Sequence, residues 1–179
     1  MKKLAIIGAI LTALPGLVGA TQPAFADTST ATFQVKLTII KGCAVSAPAD
    51  INLGSTFSAA SLNSSGATGT STFNVTCSNG TGYTIGFSGI NDGADTTTHN
   101  MKGAASGLSI PYQITDVTTS ASNTKPLSAI SAATPSVISD KGTGSAQSKT
   151  IQAAVIAKSI PGGAATDSYY DTVTLTLSY

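Results

Sequence analysis

Reactive side chains are scarce in this chain: two cysteines, one histidine and eight acidic residues, every one of them aspartate. Cys43 and Cys77 could bind a metal, cycle in redox chemistry or form a disulfide. One histidine and no C-x-x-C argue against a metal or redox pair. In an oxidising compartment two cysteines imply a single disulfide. Closing the loop between them contributes roughly 4 kcal/mol on the chain-entropy account. His99 follows Thr96, Thr97 and Thr98 with no acid-and-nucleophile pattern beside it. Triad partners can come from afar, so an exported hydrolase would have to use His99; the residue reads as a solvated loop side chain. Asn91, Asp92 and Asp95 miss the D-x-[DN]-x-[DN]-G spacing of a calcium loop and read as solvated turn residues. Tyr83, Tyr112, Tyr169 and Tyr170 are scattered and no tryptophan joins them, so sheet packing is favoured over a sugar site, with Tyr170 out of phase and facing solvent or a neighbour. Three N-glycosylation sequons, at Asn63, Asn74 and Asn79, are read as chance in a bacterial export setting. No catalytic residue, cofactor or metal is assigned.

The compartment follows from the first 26 residues. Lys2 and Lys3, the apolar run Leu4 to Leu14 and the Ala24-Phe25-Ala26 cleavage pattern make an export signal, with Val18-Gly19-Ala20 a weaker site. The run is too short to span a bilayer, and no later stretch approaches a membrane span. About 150 residues remain, enough for one domain with a real core. They carry seven lysines against eight aspartates, net −1, with no arginine and no glutamate. Such a surface does not suit nucleic acid, which requires clustered Lys and Arg. Ordinary apolar content with little net charge also argues against disorder.

Positioning falls to strands. Beyond the signal no helical period stands out, and strand-like runs recur between Gly, Ser and Asn clusters, as in an all-β sandwich. Residues 43–45 and 51–53 flank Pro48 as a kinked strand pair or an edge, and 55–71 reads as a long exposed loop. Phe73, Val75 and Cys77 alternate inward. Asn79-Gly80 gives a hairpin signal before Tyr83, Ile85 and Phe87. Residues 108–114 form a strand whose Pro111 places it at an edge or bulge. Residues 127–130 suggest a short strand, 150–157 a firm one, and Pro161-Gly162-Gly163 a turn.

Both ends of the mature chain alternate cleanly. Ala31, Phe33, Val35, Leu37 and Ile39 share one face of an extended segment, opposite Thr32, Gln34, Lys36 and Thr38. Val173, Leu175, Leu177 and Tyr179 likewise oppose Thr172, Thr174, Thr176 and Ser178. Two readings follow. The terminal strands pair within a self-contained secreted sandwich that binds carbohydrate or protein, or the N-terminal strand is given to a neighbouring molecule.

Gly42-Cys43 directly after the N-terminal strand, Phe73-Asn-Val-Thr-Cys77 and Tyr170-Asp-Thr-Val-Thr-Leu-Thr-Leu-Ser-Tyr179 together resemble the spore coat protein U family. That family includes subunits of archaic chaperone–usher pili such as the major Csu pilin. The resemblance spans the mature chain and is strongest at 33–45, 73–77 and 169–179. It implies an incomplete immunoglobulin-like sandwich completed by donor-strand complementation, with a signal at 1–26, a donor segment at 27–41 and a pilin domain at 42–179. Carried over by position, Ala31, Phe33, Val35, Leu37 and Ile39 are donor residues. Val173, Leu175, Leu177 and Tyr179 border the acceptor groove and meet the chaperone, whose basic cleft would take the terminal carboxylate. The implied partners are identical or related pilin subunits joined head to tail, a periplasmic chaperone and an outer-membrane usher, without nucleic acid or membrane insertion. The implied destination is a fimbrium at the cell surface, reached through the periplasm and serving adhesion and biofilm formation.

Overall fold

The computed structural model describes residues 28–92, 97–118, 125–132, 135–158, 160 and 165–179. The expected signal at 1–26, Asp95 and the turn at Pro161–Gly163 lie outside them. The chain divides into two units, Met1–Leu37 and Thr38–Tyr179. In the first, residues 28–37 form neither helix nor strand, and Phe33, Val35 and Leu37 are 87%, 87% and 84% exposed.

Among its described residues the second unit is all-β apart from one short helix. Its elements in chain order are β1 (Cys43–Val45), α1 (Ala59–Ser65), β2 (Thr68–Cys77), β3 (Gly82–Gly89), β4 (His99–Gly103), β5 (Ser109–Asp116), β6 (Ile138–Lys141), β7 (Ala146–Val155), β8 (Tyr169–Tyr170) and β9 (Val173–Ser178). Six strands form one sheet in the order β1-β2-β7-β5-β4-β8, and three form a second in the order β6-β3-β9. Every pairing is antiparallel.

The core lies between the sheets because alternation sends one face of each strand inward. Phe73, Val75 and Cys77 of β2 meet Tyr83, Ile85 and Phe87 of β3, joined by Tyr112, Ile114, Ile151 and Ala153. Phe73 and Phe87 touch edge to face with ring centroids 6.3 Å apart. The Asn79-Gly80 turn, with Gly80 at φ +78°, is therefore not a hairpin. It carries the chain from one sheet to the other, so β2 and β3 oppose each other across the core instead of lying side by side. The disulfide joins Cys43 to Cys77, as the cysteine pair implied.

Residues 55–71 differ from the long loop expected. Ser58 caps α1 by accepting from the Ser61 amide, while the Ser61 hydroxyl accepts from the Ser58 amide. Gly66, at φ +67°, ends the helix, and β2 starts at Thr68. At Gly69 β2 lets another segment approach closely. A Cβ at Gly69 would lie 2.7 Å from Ile51 Cγ2. Residues 51–53 are not a strand but a stretch lying over Gly69. Residues 127–130 form no strand either. Leu127 is a core side chain, and the Ser128 carbonyl accepts from the Phe87 amide.

Candidate strand-accepting cleft

The C-terminal alternation is β9, and its surroundings are asymmetric. One edge of β9 pairs with β3, setting Leu175 opposite Phe87 and Leu177 opposite Ile85. On the other edge no strand among the described residues pairs with β9. Leu175 and Leu177 pack against the core but remain only half-buried, and Val173 is 36% exposed. A strand with this pattern at a closed sheet position would bury its apolar face fully, as β2 does.

Beside β9 opens a cleft of about 980 Å³. Residues 45–54 form one wall, residues 169–173 and Leu175 the other, and Phe87, Met101, Tyr112, Ile114, Ile151 and Ala153 the floor. The first wall leaves the sheet after three residues of β1. Ser46 still exchanges hydrogen bonds with Asn74, and the Ser71 hydroxyl donates to the Ala49 carbonyl at 2.8 Å. The Cys43–Cys77 bond anchors that wall at its origin. Val173 and Leu175 thus line the cleft. Leu177 lies further along the core, and Tyr179, 61% exposed, sits over a separate shallow depression beside Tyr83, Asp140 and Lys141.

The residues expected to donate a strand share a contrasting state. Phe33, Val35, Leu37 and Ile39 are all more than 80% exposed, and Ala31 is exposed too. A run of large apolar side chains in water is costly.

The far end of the cleft is polar and was not legible as such. The Tyr112 hydroxyl donates to Asp171 Oδ2 at 2.7 Å, and Asn91 Nδ2 donates to Asp171 Oδ1 at 3.0 Å. Burial first, then the bond to Asp171, raises the Tyr112 phenol far above its ordinary value, so it stays a donor. Behind it His99 is fully buried, not solvated, with Nδ1 2.5 Å from Asp92 Oδ2 and Nε2 3.2 Å from the Leu127 carbonyl oxygen. Asp92 is a buried cap and not a solvated turn residue; it accepts from the Gly89 and Asn100 amides. Both ring nitrogens of His99 are engaged and none of its surface meets solvent, an arrangement that leaves no free nitrogen for acid–base work.

A second carboxylate braces the wall before β8. Asp167 Oδ2 accepts from the Ser106 amide at 2.7 Å, the Ser106 hydroxyl at 2.8 Å and the Ala105 amide at 3.0 Å. The Ser106 amide, foremost among these, draws the carboxyl down to about 2. Because the folded value lies below the unfolded one, this contribution is present above the ordinary aspartate value of 3.8 and is lost as pH falls through about 2. An NMR titration should therefore show the Ala105 and Ser106 amide resonances moving with a midpoint near 2, and Asp167→Asn should abolish that movement. A midpoint at the ordinary value would mean that the brace is not formed in solution.

Among the described residues, no group of three His, Cys, Asp or Glu side chains is placed to hold a metal. No helix among them is long and apolar enough to cross a membrane.

The fold has solved counterparts. A chain in the crystal structure of the CsuC–CsuE chaperone–tip adhesion subunit pre-assembly complex, from the archaic chaperone–usher Csu pili of Acinetobacter baumannii, superposes with a TM-score of 0.51 at 18% identity. The match covers 79% of the present chain and 41% of that one, so the present chain spans well under half its length. A chain from a chaperone–tip adhesin complex of CFA/I fimbriae biogenesis gives a TM-score of 0.45 at 12% identity, covering 73% and 38%. No match was found among curated proteins. The first superposition places the two packed sheets in the immunoglobulin-like class. The sequence matches the Spore Coat Protein U domain over residues 29–176 of its 179. Two cysteines bonded between β1 and β2, an open-edged β9 and that match together make the chain a member of the Spore Coat Protein U domain family.

Proposed function

We propose that the protein is a structural subunit of an archaic chaperone–usher pilus that polymerises by donor-strand exchange. The segment 27–41 of one subunit enters the cleft beside β9 of the next, turning Ala31, Phe33, Val35, Leu37 and Ile39 inward. The observation that carries this reading is the half-covered apolar face of β9 along a 980 Å³ cleft at an open sheet edge. Burying each large donor side chain is worth about 1.5–3 kcal/mol, before ordering costs, and a backbone ladder adds to it. Donor and acceptor surfaces differ, so the contact is head to tail and its repetition gives an open fibre.

The reading assigns residues 1–26 to a signal and 42–179 to the pilin domain. An open apolar edge is an aggregation hazard, which a periplasmic chaperone would cover until an outer-membrane usher hands the subunit on. The fold shared with a chain of a chaperone–subunit complex supports that partner. The destination is a surface fimbrium serving adhesion and biofilm formation, with no catalytic role. A self-contained binding sandwich is disfavoured by the exposure of Phe33, Val35, Leu37 and Ile39.

The test compares two changes on β9. Leu175→Asp places a carboxylate in the cleft, whereas Thr174→Asp points to solvent. Unheated gel samples of surface fibres should show ladders for the wild type and Thr174→Asp, collapsing to one band on boiling, and none for Leu175→Asp. Ladders of normal length with Leu175→Asp would overturn the acceptor assignment.

A further inference from the structure

The donor segment and the cleft carry charges of opposite sign. Among the described residues lining the cleft the charged side chains are Asp50 and Asp171, both acidic. Residues 28–41 hold Lys36 and Lys41 and no acid. Phase separates the two lysines. Lys36 shares the face of Gln34 and Thr38, whereas Lys41 continues the row Ala31, Phe33, Val35, Leu37 and Ile39. A segment that turns this row inward therefore ends it in a cation. The Ser78 hydroxyl donates to the Ile40 and Gly42 carbonyls at 3.4 Å, so exposed Lys41 stands where the segment leaves its own domain. The cleft, for its part, ends in a carboxylate that its own subunit holds in place. Asp171 takes the Tyr112 hydroxyl on Oδ2 at 2.7 Å and the Asn91 side-chain amide on Oδ1 at 3.0 Å. A Cβ at Gly89 would collide with Asp171 Oδ2, so the bare backbone there seats the carboxylate. Two hydrogen bonds leave about half the acceptor sites of a carboxylate open. Asp171 is half-buried, and among the described residues the ion pairs are His99–Asp92 and Lys149–Asp140, which leaves it without a cation from its own subunit.

We propose that Asp171 is a specificity-determining residue of the cleft: it receives Lys41 of a second copy of the chain and so sets the direction and register of the captured strand. The register follows from β9 itself. β9 meets β3 up to the pair Gly89 and Val173, and one step beyond the Ile90 amide donates to the Thr172 carbonyl, so the strand path runs on to Asp171. Backbone groups point to alternate sides along an antiparallel strand. Thr172 directs its carbonyl to β3, so Val173, Leu175 and Leu177 present theirs to the open edge. Setting Lys41 opposite Asp171 in an antiparallel pairing puts Ile39 opposite Val173, Leu37 opposite Leu175, Val35 opposite Leu177 and Phe33 opposite Tyr179. Each apolar side chain of the row then meets one on the same face of β9, at the spacing where cross-strand pairs interact. A slip of two residues keeps the faces but lays Ile39 against the carboxylate and leaves Lys41 beside Tyr169. A parallel strand would carry Lys41 to the apolar end, towards Leu177 and Tyr179. This inference rests on the donor-strand reading above.

Two sets of full-chain variants, read as gel ladders of surface fibres, test it. Lys41→Asp alters only an exposed side chain of the free subunit, yet it brings two carboxylates together at every junction. Its unheated ladders should be lost. Lys36→Asp makes the same change of charge on the outward face and should give ladders of wild-type length. Lys41→Gln removes the cation without repulsion. Co-expressed with an equal amount of wild type, it should enter fibres about tenfold less often, the weight of one charge-assisted hydrogen bond. Paired cysteines read the register directly, because opposite Cα atoms about 5.5 Å apart suit a disulfide. Ile39→Cys with Val173→Cys should give ladders that survive boiling and collapse on reduction. Leu37→Cys with Val173→Cys, which reports the slipped register, should collapse on boiling alone. Normal ladders from Lys41→Asp, or equal loss from Lys36→Asp and Lys41→Asp, overturn the ion pair. Wild-type ladders without cross-linking of the Ile39 pair overturn the register, and with it the role of Asp171. Absence of ladders from the wild type, with neither cysteine pair cross-linking, overturns the donor-strand reading and this inference together.

Discussion

A Val35→Asp subunit is expected to fold, to accumulate in the periplasm and to be excluded from fibres. Val35 is 87% exposed in the subunit, so the change costs the free molecule almost nothing. In the proposed assembled state the same side chain lies in an apolar cleft. There the substitution forfeits about 1.5–3 kcal/mol of valine burial. It also leaves a carboxylate without a cationic partner, a penalty of several kcal/mol. Together these reach about 5 kcal/mol or more, a weakening of several thousand-fold in strand capture. Gln34→Asp changes the opposite face of the same segment and should polymerise at near wild-type length. Unheated gels and electron microscopy of sheared surface material read both variants. Fibres of normal length from Val35→Asp would remove 31–39 from the donor role, because no exposed position could tolerate that change once buried.

The contrast between those neighbours shows what the sequence could convey. Period-two alternation was visible at Phe73–Cys77, Tyr83–Phe87 and Val173–Leu177, and each became a strand; β2 and β3 bury the set read as inward, whereas on β9 Leu175 and Leu177 are half-buried and Val173 is exposed. Alternation reports which face is apolar but not which strand lies opposite. Asn79-Gly80 therefore suggested a hairpin where the chain crosses between sheets. Helix α1 escaped notice because hydroxyl caps at Ser58 and Ser61 define it, with no buried face to impose a period. The cleft wall at 46–54 was equally silent. It is held by the Ser46–Asn74 and Ser71–Ala49 contacts and by the space at Gly69, which are pairings across more than fifteen residues. His99 is the clearest case. A lone histidine among threonines carries no sign of burial, since its partners at Asp92, Tyr112 and Leu127 come from three separate segments.

Replacing both cysteines, Cys43→Ala with Cys77→Ala, is expected to cost about 4 kcal/mol of stability, given a sequence separation of 34 residues. Within a typical total of about 5–15 kcal/mol, that is about a quarter to most of the stability of the free subunit. The loss should be uneven. Cys77 lies in β2, which is also held by nine paired positions to β7. Cys43 lies in β1, which has only three partners on β2 and leads straight into the cleft wall. Without the bond, β1 and residues 46–54 depend on that short ladder and the contacts of Ser46 and Ala49. Amide exchange should accordingly rise most over 43–54 and least over β2 and β7, while the denaturation midpoint falls. An added strand beside β9 would abut the same wall, so the defect should be smaller in an assembled fibre than in the free subunit. Uniform exchange across both sheets would mean that the disulfide acts on the unfolded chain alone; a local rise confined to the wall would identify it as the clamp that keeps the cleft open to one strand and closed to collapse.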